Sequence, residues 1–368
     1  MKKIFTVLTS IALTFALSFS AAFANDDALM KSQNYLKTIT LDSPDAVIAY
    51  EATGMEADYK ADALLNNFKE TDYVTASYGD LAKSIIAISL LGENPKDFNK
   101  TNLVEILENR VQEDGTLTND VNGGCGATIW TLMALETVNS PKVKAVADKL
   151  STMAMDNGAY WYEYKGPNAD LDTTGWAMEA LSVAGRSTYK AAISKAYTFV
   201  QSKLNSTDGY YDNWGGNADT QSCVLEGLSV AGYTLDTNAY NYLLSYQNED
   251  GTFNALNYST GQLEPNAYAS VEGARALGVI NNGSFVLKAR QDYTKTTTPV
   301  VTEPETPTKP TKPSTTTPAV KPETTTTEPK KETVKVVNTG DNTNVMAYVV
   351  AAIAAVGVIV LVIKSKKK

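Results

Sequence analysis

The chain writes one phrase twice, and little constrains its fold more. The stretch DLDTTGWAMEALSVAG at residues 170–185 returns as ADTQSCVLEGLSVAG at residues 218–232, so that Asp172 matches Asp219 and Glu179 matches Glu226. Fainter echoes lie at residues 125–136, Asn266 to Gly278 and Tyr78 to Gly92. A turn stands ahead of the clearer copies: Glu113-Asp114-Gly115, Asp156-Asn157-Gly158, Thr207-Asp208-Gly209 and Glu249-Asp250-Gly251. Its glycines fall at 115, 158, 209 and 251, which are 43, 51 and 42 residues apart. A period of that size marks a repeat architecture, whose units cannot bury an apolar face alone and must stack.

Between the turns the segments read as helices. The spacing predicts them over Asp26 to Ile39, Pro44 to Phe68, Tyr78 to Leu91, Lys100 to Gln112, Thr128 to Thr137, Pro141 to Met155, Thr173 to Ala184, Ser187 to Leu204, Thr220 to Ala231, Thr237 to Gln247 and Tyr268 to Leu277. Gly, Asn and Asp cluster between them, and no run alternates as a half-buried strand would. The expected class is all-α. Two kinds of helix take turns. One, such as Ser187 to Leu204, carries Lys, Ser and Tyr on a solvent face. The other is the repeated phrase, nearly all small or apolar. In it Asp172, Trp176, Glu179 and Val183 fall on one stripe, as do Asp219, Cys223, Glu226 and Val230. Such a helix suits an inner position, with its apolar side on an outer layer and its stripe facing a central cavity.

These alternating helices, with a turn such as Gln247-Asn248-Glu249-Asp250-Gly251-Thr252-Phe253, resemble the α/α-toroid superfamily. That superfamily holds squalene and terpenoid cyclases, protein prenyltransferase β subunits and transcobalamin-type carriers. The resemblance covers roughly Asp72 to Val279. It implies an α/α toroid of inner and outer helices but not one chemistry, since the same barrel carries several functions.

Asp170-Leu171-Asp172-Thr173-Thr174 is similar to the acid motif of the class II cyclases. The resemblance implies Asp172 as proton donor and Asp170 as its neighbour, with Thr173 where a third Asp is expected. Such an acid must be held neutral by burial and a nearby carboxylate. The other reading makes Asp172 and Asp219 helix N-caps, built into the repeat. Tyr160-Trp161-Tyr162 and Tyr210-Tyr211-Asp212-Asn213-Trp214 recur between turn and inner helix. With Trp130 and Trp176 they account for the four tryptophans. Either they form a platform at one mouth for sugars, cationic groups or planar apolar ligands, or they wedge between hairpins. The expected ligand-binding set is Trp130, Trp161, Tyr162, Trp176, Glu179, Tyr211, Trp214, Asp219 and Glu226. The Asp-Gly turns lack calcium-loop spacing and read as left-handed turns.

Composition narrows the chemistry. The 368 residues include no histidine, which removes His bases and most catalytic zinc sites. No cofactor or metal is expected. A net charge of −9 argues against nucleic acid. The two cysteines, Cys125 and Cys223, suffice for at most one disulfide.

The ends of the chain read as address labels. Residues 1–24 have Lys2-Lys3, an apolar core and Ala22-Phe23-Ala24, as a secretory signal does, making signal peptidase a partner. Residues 25–290 would be the helical domain and 291–337 a Thr/Pro-rich stalk. Residues 338–368 would be an anchor. Its 19-residue uncharged run, Val345 to Ile363, is long enough to span a membrane, and lysines follow. Asn338-Thr339-Gly340 resembles part of the Gram-positive sorting signal, which implies cleavage by a sortase between Thr339 and Gly340 and attachment to peptidoglycan. The alternative is a permanent single span. Either way the domain would be displayed outside the cell. The expected function is binding of a small molecule or glycan without catalysis, and the alternative is an exported cyclase-like enzyme using Asp172.

Overall fold

A computed structural model describes residues 26–57, 62–70, 72–120, 123–162, 168–212 and 215–297. The expected signal segment, Trp214, most of the stalk and the whole anchor, with Thr339 and Gly340, lie outside the described residues. Within them the protein is mostly helical, as its patterning predicts. In chain order the helices are α1 (Asp26–Leu36), α2 (Pro44–Ala52), α3 (Asp62–Glu70), α4 (Tyr78–Leu90), α5 (Leu103–Glu108), α6 (Cys125–Thr137) and α7 (Val143–Met153). Then come α8 (Leu171–Gly185), α9 (Lys190–Ser202), α10 (Ala218–Ala231) and α11 (Thr237–Leu244). A hairpin of β1 (Phe253–Asn257) and β2 (Gln262–Asn266) precedes α12 (Ala267–Asn282) and α13 (Phe285–Thr297).

Two classes of helix follow from two kinds of sequence. Helices α8 and α10, built from the repeated phrase, are buried nearly all round, which small and apolar side chains permit. Helix α9 buries only Ile193, Ala196, Phe199 and Val200 and turns its lysines outward. The buried class packs in order: α2 on α4, α4 on α6, α6 on α8, α8 on α10, α10 on α12, and α12 back on α2. Helices α5, α7 and α9 each lean on the two members of that series that flank them, and α1 leans on α12 and α2. Helix α13 lies against α4 and α6.

The glycines of the repeated turn explain the period. Gly115, Gly158, Gly209 and Gly251 all have φ between +82° and +89°, the left-handed region that favours glycine. Each also touches a carbonyl of a later or distant helix. A Cβ would stand 2.1 Å from the Ala145 oxygen at Gly115, 2.4 Å from that of Lys195 at Gly158, 2.4 Å from that of Asn238 at Gly209, and 2.0 Å from that of Lys31 at Gly251. The last contact joins the final turn to the first helix. Two residues beyond three of these turns, the backbone N–H groups of Tyr160, Tyr211 and Phe253 donate to Thr174 Oγ1, Gln221 Oε1 and Ser270 Oγ at 3.0, 3.1 and 2.8 Å. Asp114 and Asp250 accept N–H groups two residues on, at 3.0 Å in both cases, so the carboxylates shape the turns.

Three expectations need correction. The single helix expected over Pro44 to Phe68 ends at Ala52, where Thr53 and Gly54 (φ +82°) turn the chain before α3 begins. A β-hairpin is present although no alternation announced it. Its only fully buried strand residue is Phe253, so there is no buried face to impose a period of two. Helix α13 runs to Thr297, past the expected domain limit at 290. Its apolar residues Phe285, Val286, Ala289 and Tyr293 do have helical spacing, but they merge into the Thr-rich stretch that follows. Cys125 and Cys223 are both buried free thiols, so the one disulfide they could have formed is not made. No helix among the described residues is long and apolar enough to cross a membrane.

The turn glycines yield the first prediction. Gly158→Ala should cost about 3 kcal/mol or more, because strain at positive φ is joined by overlap with Lys195. Gly92→Ala is also at positive φ (+72°) but has nothing within 4 Å, and should cost only about 1 kcal/mol. Chemical denaturation of the two variants reads the difference, and equal losses would refute the close-contact account.

Candidate functional site

The site is assembled by helix caps acting in register. Ser43, Ser77, Asp170, Asn217 and Asn266 each precede a helix of the buried class and accept a backbone N–H from its first turn, and Gly124 stands at that place ahead of α6. Counting from these caps aligns the helices. Two residues on are Asp45, Gly79, Gly126, Asp172, Asp219 and Tyr268. Six residues on come Lys83, Trp130, Trp176, Cys223 and Glu272. Nine residues on come Glu179, Glu226 and Arg275.

Residues of like position meet. Lys83 Nζ lies 4.6 Å from the centre of the Trp130 ring and pairs with Asp45 at 2.9 Å. Trp130 and Trp176 are 5.8 Å apart, and Cys223 Sγ is 3.9 Å from Glu272 Oε2. The stripe expected from the repeated phrase therefore faces the same interior from several helices. Phe285 at the start of α13 stacks on Trp130 at 6.4 Å.

The deepest layer is charged. Arg275, 1% exposed, donates through Nε to both oxygens of Glu226 at 3.1 Å, and its Nη2 is 3.8 Å from Glu272. Burial opposes the charge on Arg275, but the carboxylates of Glu226 and Glu272 hold its pKa above the usual value. Arg275 also acts on Glu179, but less than burial and Glu226 do. Burial and then the neighbouring Glu226 raise its pKa well above the ordinary carboxyl value. Its Oε1 accepts from Ser284 Oγ at 3.0 Å, and the raised pKa favours its neutral form beside Glu226. Burial also raises Asp219, whose Oδ1 has no hydrogen-bond partner among the described residues. Glu272 is pushed up by burial to about 8, with Arg275 opposing the rise.

A cleft of about 590 Å³ opens beside this interior, at the N-terminal ends of α4 and α6. Glycines stand two residues beyond the caps there, where other helices carry Asp or Tyr; Gly79 leaves space and Gly126 seats the Tyr162 ring. Trp130 and Tyr162 wall the cleft, together with Tyr78, Arg110, Asn109 and Asp120. Tyr162 is half exposed, covers Gly126 and meets Trp176 edge-on with ring centres 6.3 Å apart. Arg110 donates to the carbonyls of Ala76, Tyr73 and Val74 at 2.7–2.8 Å.

The expected site residues divide. Trp130, Tyr162, Trp176, Glu179, Glu226, Asp172 and Asp219 share the interior or its mouth. Glu179 and Glu226 are fully buried, so they form its floor and do not line open space. Trp161 is half-buried, and its carbonyl accepts the Cys125 N–H at 2.9 Å. Tyr211 stands apart. It is fully buried two residues beyond a turn glycine, like Tyr160 and Phe253, and wedges between hairpins. The cap assignment also shifts by two residues. Asp170 and Asn217 are the caps, while Asp172 and Asp219 lie in the first turn. Asp170 accepts from Thr173 N at 2.8 Å and Thr173 Oγ1 at 2.6 Å, so the residue standing where a third acid was sought instead holds the cap. Sequence reasoning missed Lys83, Glu272, Arg275 and Phe285. The echo from Asn266 to Gly278, aligned on the caps, would have placed Glu272 and Arg275 opposite Cys223 and Glu226.

Comparison of the chain with protein-family models and with curated proteins gives no match.

The raised carboxyls have a consequence for stability. Between the ordinary value of 4.5 and about 8, folded Glu272 keeps a proton that the unfolded chain releases. Stability should therefore fall as pH rises through that window and level off above it. Melting temperatures should be lower at pH 8 than at pH 5, and Glu272→Gln should shrink the difference. An unchanged difference in that variant would contradict the assignment.

Proposed function

We propose that the domain is an α/α toroid that binds a ligand at one mouth without transforming it, and that it is displayed on the outside of a cell. The even-numbered helices would be the inner ring and the odd-numbered helices from α1 to α11 the outer one. The closed packing order and the contact of Gly251 with α1 support that reading. The relationship suggested by the sequence, to terpenoid cyclases, prenyltransferase β subunits and transcobalamin-type carriers, is part of the same proposal.

The observation that carries the binding function is the 590 Å³ cleft with Trp130 and the half-exposed Tyr162 in its wall. Its volume suits a small organic ligand. An enzyme using Asp172 as an acid would need a neighbouring carboxylate to keep it protonated; Asp170 is committed to its helix cap, which leaves Glu272, whose pKa the charge of Asp172 raises, as the neighbour. Display rests on the signal-like start, the Thr/Pro-rich stretch and the anchor-like end, with sortase and peptidoglycan as partners if Thr339-Gly340 is cut.

Two measurements test this. Native mass spectrometry of the detergent-extracted full chain should find a small molecule bound at one per chain, and Trp130→Ala should lose it. Wall digests should release protein ending at Thr339. Recovery of chains that still carry Lys368 as the main form would leave a permanent span in place of sorting. A chain with no small-molecule ligand under any extraction would contradict the binding function.

A further inference from the structure

Resting on the binding reading above, we infer that the cleft takes an uncharged, polyhydroxylated ligand: a neutral sugar or the end of an oligosaccharide. The cations in and beside the cleft are already spent. Among the described residues Arg110 is its one lining cation, and the guanidinium is taken up by three backbone carbonyls while it stacks 5.5 Å from the Tyr78 ring. Among the described residues an anionic ligand would find no unspent cation to pair with. A cationic ligand fares no better. Trp130 already carries Lys83 over its ring at 4.6 Å, and Tyr78 carries Arg110, so a third positive charge would be repelled from both aromatic rings.

The rest of the lining excludes a purely apolar guest. Asn109, Thr118 and Asn119 would lose water without replacement hydrogen bonds, which opposes the burial of a hydrocarbon. Hydroxyl groups both donate and accept, so they suit amide and carboxylate side chains together. The half-exposed Tyr162 ring offers a face for the C–H side of a sugar ring. Polyprenoids, phosphate esters and quaternary amines are each disfavoured by a separate feature of the same cleft.

The test exposes the full-length protein in detergent to an array of neutral oligosaccharides of two to four sugars. It follows the best binder by calorimetry, with tetramethylammonium and inorganic phosphate as charged probes. The expected result is a neutral oligosaccharide with Kd below about 1 mM. Tyr162→Ala should weaken it about tenfold, Tyr162→Phe should restore it, and the melting temperature should stay unchanged. Should Tyr162→Ala misfold, Asn109→Ala at the polar wall should weaken the same sugar. Binding of tetramethylammonium or phosphate with no neutral sugar bound would overturn the ligand class and leave the binding function standing. No binding of any probe by a chain that still extracts with a bound non-sugar molecule would do the same. A chain that binds no probe and carries no ligand would overturn both.

Discussion

Each repeat is fastened to a later helix, or back to the first, by a glycine with no room for a side chain. At Gly115, Gly158, Gly209 and Gly251 the backbone turns left-handed and presses its α-carbon on a helix carbonyl. The N–H groups two residues beyond the last three of these glycines are received by Thr174, Gln221 and Ser270 on the buried helices. One contact therefore sets the packing of the turn on its neighbouring helix, and the other sets the register of the buried helix. Caps at fixed positions follow from that register, and the alignment of Lys83, Trp130, Trp176, Cys223 and Glu272 follows from the caps.

The interior created in this way is expensive. It holds Glu179, Glu226 and Glu272 with Arg275, nearly all without solvent. Burial favours the neutral forms of Glu179 and Glu272 despite Arg275, and the geometry that remains is specific: a two-oxygen clasp on Glu226 and a serine on Glu179. Helix α13 supplies much of the compensation. Lys288 pairs with Glu51, Arg290 with Glu136, and Ser284 beside the helix start with Glu179, while Phe285 backs Trp130. The wall of the cleft and the helix leading toward the Thr/Pro-rich stretch are thus one packed unit.

Much of this was legible in the residues. The repeated phrase and the Asp-Gly turns announced the helical class, the two kinds of helix and the inward stripe of Asp172, Trp176 and Glu179. What escaped had physical reasons. Arg275 replaces a glutamate at the aligned position, so similarity fell where the chemistry inverted. Tyr211 looked like a platform residue because a buried wedge and an exposed ring share one composition, and only packing separates them. The caps were misplaced by two residues because Asp170 and Asp172 are equally good capping residues, and the start of α8 is set by the buried Leu171. The cleft itself depends on Gly79 and Gly126, whose meaning is an absence of side chain that no motif records.

The proposed toroid requires closure: the last turn grips the first helix, and the repeats would then form a ring with no free end. An open stack of repeats would fray from its termini, whereas a closed one has none to fray. Native-state hydrogen exchange tests this directly by comparing the slowest amides of α2 and α12 with those of α8. Closure predicts that all three exchange by the same global opening, with similar free energies and similar denaturant dependence. Markedly lower protection in α2 or α12, lost by a separate local opening while α8 stays protected, would contradict it.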